Sequence, residues 1–290
     1  MKKFVMLGIV FTILFCAACS AKGVGKMQPE KYFEGPMLEL GRAIAADDTE
    51  KIESLIKSGT DPNGYGKQGI TPLIYAFGAG KKDAMRALLQ NGADPNKRND
   101  APDAPERLQG ESAVTFIAGA PENDYLAILL DHGGDLNAKN GDGEPILIRM
   151  IFMDPTNYEG MKMLLDRGAD INATKSSGDT LLKILAMFGD FENVYYLLQK
   201  GADFRIKDSA GYGPDFDIYR YEIDPKAFPK AYEWQHKCQE FLAARGVKDP
   251  GPLKPKVLTP EEEEENKRLL DEMFEKDAQR REEYQRNQGK

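Results

Sequence analysis

Histidine and cysteine, the residues best suited to hold a metal or attack a substrate, are scarce in this chain. The two histidines, His132 and His236, stand in separate stretches, and the three cysteines are Cys16, Cys19 and Cys238. A metal centre commonly draws on several such ligands at defined spacing, so none is expected, and no cofactor either. The sequence contains no Gly-x-Ser-x-Gly for a nucleophilic serine, no glycine-rich phosphate cradle and no plausible Cys–His pair. Carboxylates do recur regularly, in Asp61-Pro-Asn63, Asp94-Pro-Asn96, Asp135-Leu-Asn137, Asp170-Ile-Asn172 and Asp203-Phe-Arg205. No catalytic residue emerges, and the chain is expected not to be an enzyme.

The elements around those phrases explain their spacing. In the stretch from Gly69 to Asn96, Thr71 can cap a helix whose first turn accommodates Pro72, because proline lacks the N–H left unpaired there. A short apolar helix follows with Leu73, Ile74, Ala76 and Phe77. A second carries Ala84, Met85, Leu88 and Leu89 at helical spacing and stops at Gly92. Neither helix can bury its apolar stripe alone. The closing phrase recurs at Gly59, Gly92, Gly133, Gly168 and Gly201, in steps of 33, 41, 35 and 33 residues (92 − 59, 133 − 92, 168 − 133, 201 − 168). A period near 33 with a helix-pair pattern marks the ankyrin repeat, and the chain resembles that family over residues 36–248. Gly-x-Thr-Pro-Leu is whole at 69–73, and partial at 143–147 and 178–182.

The resemblance implies an all-α fold, an ankyrin-repeat solenoid of five to six stacked helix-turn-helix units with hairpin loops. Repeats are expected at 36–68, 69–99, 110–142, 143–177 and 178–210, with a degenerate, aromatic-rich cap at 211–248. It also assigns the Asp-x-Asn phrases to turns, where they bond local backbone. The long 41-residue step places an insertion at 100–109, read equally as part of a binding face or as a tolerated surface loop. A short excess falls near 153–157, inside the fourth repeat.

Both ends read differently. Lys2 and Lys3 precede an apolar run to Phe15 that is too short to span a bilayer comfortably, as in a secretory signal. Its end resembles a bacterial lipobox, which implies a signal peptide at 1–18 and lipidation of Cys19. Cys16 departs from the usual leucine. Residues 19–35 read as a tether, 249–258 as a proline-rich linker, and 259–286 as a charged helix with a small apolar patch of Leu269, Leu270, Met273 and Phe274. Cys238 then lacks a partner and is expected buried.

A formal net charge of −8 argues against nucleic acid, since phosphate neutralisation needs clustered Lys and Arg. The resemblance implies a protein partner, gripped by hairpin tips and the exposed face of the inner helices. Transferred position by position, that surface comprises Tyr65, Lys67, Gln68, Ile70, Arg98, Glu111, Lys139, Asp142, Glu144, Phe152, Asp179, Phe188, Lys207 and Tyr212. The expectation is a monomeric lipoprotein on the outer membrane facing the periplasm, touching membrane only through its anchor. Its role would be that of an immunity protein neutralising a toxic effector such as a phospholipase, or of a scaffold or assembly factor for an envelope complex or stress enzyme.

Overall fold

The computed structural model describes residues 27–153, 156–249, 251 and 268. The signal peptide, Cys19, residues 154–155 and all of the charged C-terminal helix except Arg268 lie outside them. The chain divides into two compact units, residues 1–249 and 250–290, and the fold below is that of the first.

Among the described residues twelve α-helices form six consecutive pairs. They are α1 (Gly35–Ala46) with α2 (Thr49–Lys57), α3 (Pro72–Gly78) with α4 (Lys82–Gln90), and α5 (Ala113–Ala118) with α6 (Asn123–Asp131). Then come α7 (Ile146–Arg149) with α8 (Tyr158–Asp166), α9 (Leu181–Met187) with α10 (Phe191–Gln199), and α11 (Pro214–Arg220) with α12 (Pro229–Ala243). The odd-numbered helices form an inner layer and the even-numbered an outer one: α1 packs on α3, α3 on α5 and α9 on α11, while α4 joins α2 to α6.

Local chemistry sets helix starts. Thr71, Ser112 and Thr180 each accept the amide three residues on, at 3.3, 3.2 and 3.2 Å, so α3, α5 and α9 begin at equivalent hydroxyls. The fourth repeat has Pro145 there, without a side-chain acceptor, and α7 is only four residues long before a 3₁₀ turn at Met150–Phe152. The recurring glycines occupy equivalent corners in the left-handed region, with φ of 104, 93, 88, 94 and 93° at Gly59, Gly92, Gly133, Gly168 and Gly201. A side chain there would be strained.

One apolar seam runs through the stack. Leu40, Leu73, Val114, Leu147 and Leu182 line its inner side and Leu88, Leu129, Leu164 and Leu197 its outer side, all at most 3 % exposed. Burial of each contributes about 1.5–3 kcal/mol. The Asp-x-Asn phrases stitch the repeats together beside this seam. Each Asp accepts the amide two residues on, as at Asp94 and Asn96 (2.8 Å). Each Asn then reaches the next repeat: Asn63, Asn96, Asn137 and Asn172 accept the amides of Asp94, Asp135, Asp170 and Asp203 at 2.7–2.8 Å. The series ends at Arg205, whose guanidinium turns back onto Asp203 (2.8 Å).

One expectation needs correction. The described part of the tether, residues 27–34, is folded against the first repeats, and Phe33 is 2 % exposed. The 100–109 insertion packs on its neighbours while Pro102, Asp103, Glu106 and Arg107 stay exposed. Ala101, Ala104 and Leu108 are buried, and the Asn99 side chain donates to the Gly69 carbonyl (2.9 Å). At the far end α12 lies on α10. It buries Cys238 and Leu242 and sets Trp234 and Phe241 beside Tyr195, ring centroids 5.7 and 6.4 Å apart.

Candidate binding surface

Short hairpins present one residue of each repeat beside the next. The pairs 66/70, 99/111, 140/144, 175/179 and 208/212 are each closed by a backbone N–H to carbonyl bond of 2.7–3.0 Å. The presented residues are Ile70, Glu111, Glu144, Asp179 and Tyr212.

Most of the polar residues in this column are consumed by internal pairing. Glu111 lies 3.0 Å from Arg149, and Glu144 lies 2.6 Å from Lys175. Asp179 is 3.9 Å from Lys183, whose ammonium also meets Asp208 (3.2 Å) and Asp217 (3.0 Å). Burial pulls the Lys183 pKa down, but hydrogen bonding and charge from Asp217 and Asp208 outweigh it and the net shift is upward. Burial pushes the Asp208 carboxyl up, yet the Tyr212 amide and Lys183 bring it below its ordinary value.

Two residues expected on the surface are buried. Ile70 is 8 % exposed because the insertion folds over its hairpin: a Cβ on neighbouring Gly69 would meet Ala104 at 2.8 Å. Glu111 is 6 % exposed because Arg149 crosses it from the next repeat. The insertion engages its neighbours too. The Tyr65 hydroxyl lies 2.7 Å from Asp100 Oδ1, and the Gln68 amide donates to Asp103 (2.7 Å). Lys67 is paired with Glu34, and the exposed Arg98 guanidinium donates to the Lys139 carbonyl (3.2 Å). Lys139, Asp142 and Lys207 are exposed at the hairpin tips.

Exposed aromatic surface lies farther along the stack. Phe152 is 51 % exposed and Phe188 56 %, their rings edge-to-face with centroids 6.0 Å apart. Lys175 Nζ stands 5.1 Å from the Phe152 ring centre. Met187, next in sequence to Phe188, is exposed too, and Tyr212 leans on Phe216 (5.2 Å). Of the residues expected in the surface, Phe152 and Phe188 meet and are open and Tyr212 is exposed on its own hairpin, while Ile70 is covered and Tyr65, Lys67 and the Gln68 amide are engaged. Sequence reasoning missed Arg149, Lys175 and Lys183. A lysine at 183, where other repeats place Ile74, Thr115 and Ile148, was the available signal. Among the described residues no three His, Cys, Asp or Glu side chains are grouped to hold a metal ion.

Comparison with known proteins agrees with this geometry. Residues 116–208 match the family model for ankyrin repeats in three copies, and residues 68–100 match that for a single ankyrin repeat. The fold is similar to the ankyrin repeat domain of Bcl-3, a member of the IkappaB family (22 % identity, 72 % of this chain and 86 % of that one, TM-score 0.55). It is also similar to an ankyrin repeat domain from Acinetobacter baumannii AYE (22 % identity, 72 % and 98 %, TM-score 0.53). A third similar structure is the ankyrin repeat protein EF0377 (24 % identity, 71 % and 96 %, TM-score 0.51).

Proposed function

The chain carries ankyrin repeats stacked as a solenoid, a protein-binding architecture, and from that premise we propose a recognition protein of the bacterial envelope that acts by occlusion. Its contact surface is the inner face around Phe152, Met187, Phe188 and Tyr212, and its partner is a toxic effector that it neutralises as an immunity protein. Cys19, in its lipobox-like setting, is the anchor. The observation that carries the reading is the Phe152–Phe188 pair: two large rings more than half exposed, at 51 and 56 %, and edge-to-face with each other. Exposed aromatic anchors of this kind are where binding energy concentrates.

A pull-down from envelope extract with the parent and with F152A/F188A tests the surface. Loss of one or two rings should weaken capture of a specific partner by about 2 kcal/mol or more, with the unfolding midpoint unchanged. Equal capture by both proteins would rule this face out. Two further arms address role and place. Deleting the protein should sensitise cells to a neighbour's toxin, and C19S should abolish incorporation of labelled palmitate. Undiminished self-protection would defeat the immunity role, and continued labelling of C19S would defeat the anchor.

A further inference from the structure

Residues 27–34 lie across the inner face of the first two repeats in the manner of a bound peptide. Met27 sits against Gly78 at the C-terminal end of α3, and its carbonyl accepts the Tyr75 hydroxyl (2.7 Å). The Tyr32 ring stands 5.8 Å from that of Tyr75, and the Tyr32 carbonyl accepts the Lys67 amide (2.7 Å). Phe33 drops between α1 and the first hairpin, edge-on to Tyr75 at 5.1 Å. Two glycines make that space. A Cβ on Gly41 would come within 2.6 Å of the Phe33 ring, and one on Gly66 within 2.5 Å of the Tyr32 carbonyl and 2.6 Å of the ring. Charge is matched along the edges, Glu30 meeting Arg42 at 3.0 Å and Glu34 meeting Lys67.

Backbone bonding to an exposed hairpin edge, a pocket for one side chain and opposite charges at the rim are the elements of peptide recognition. We infer that the inner face of the first two repeats is a peptide-binding slot for an acidic, aromatic-bearing segment, and that residues 27–34 of this chain occupy it as an exchangeable ligand. Gly41 and Gly66 set specificity by admitting the ring. Arg42 and Lys67 set the preference for acids, and the Tyr75 hydroxyl and Lys67 amide hold the main chain. The slot stands apart from the Phe152–Phe188 face, and its test needs no foreign partner.

The experiment uses the full chain, hydrogen exchange at the Lys67 amide, and a free peptide with the sequence of residues 27–34, MQPEKYFE. In F33A the resident segment lets go. Lys67 protection falls by about tenfold or more, the repeats stay folded with a midpoint lowered only by loss of the bound segment, and added peptide restores protection. In G66A the new methyl group fills the slot, so protection falls and the peptide does not restore it. The inference is overturned if the peptide fails to protect F33A or protects G66A equally. It is overturned as well if either substitution unfolds the repeats together with the segment, which would make residues 27–34 core rather than ligand.

Discussion

Lys183 and Asp217 meet inside the stack, Nζ to Oδ2 at 3.0 Å, with the lysine 6 % and the aspartate 1 % exposed. The pair joins α9 to α11, where other devices have lapsed: the sixth unit has Gly213 at its helix start without a side-chain cap, and Arg205 ends the asparagine series. Breaking a buried pair leaves a charge without its partner, so Lys183→Ala should cost about 3–5 kcal/mol. The double variant K183M/D217N should recover most of that loss. Chemical denaturation checks both, and a fully additive double variant would show that the two residues do not act together.

The same cluster gives stability two pH limits. Asp208 is held below its ordinary value. Its contribution is present above the unfolded carboxylate pKa of about 3.9 and is lost as pH falls through its lower folded value. Lys183 is raised. Its contribution is complete below the unfolded lysine pKa of about 10.4 and is lost as pH rises through its higher folded value. Thermal unfolding should therefore show a plateau between these limits, and K183M should flatten the alkaline edge. An alkaline limb unchanged in K183M would refute the assignment.

Asn96 accepts the Asp135 amide and donates to the Gly133 carbonyl, both at 2.8 Å. Asn96→Ala removes both links between the second and third repeats without touching the seam. A loss of about 1–2 kcal/mol is expected, read as a lower urea midpoint. A variant within error of the parent would mean that apolar stacking alone sets repeat coupling.

Cys238 is fully buried, and burial pushes its thiol up to about 12. Alkylation at pH 8 followed by peptide mapping should leave Cys238 unmodified in the native protein and label it rapidly in denaturant. Fast native labelling would contradict the packing of α12 on α10.

Sequence alone determined the repeat. Glycines stepping near 33 residues, hydroxyls at 71, 112 and 180, and leucines at helical spacing are local facts, because each acts within its own turn or helix. They sufficed for the helix pairs, the equivalent corners and the place of the insertion. Tertiary structure decided which surface stays open. Glu111 and Glu144 are spent on Arg149 and Lys175 of the following repeats, and Lys183 reaches Asp217, 34 residues away. The insertion covers Ile70, and Phe33 fills a gap left by two glycines. None of these is written in any one repeat. Each depends on how neighbouring repeats are brought together, and only the stacked chain fixes that.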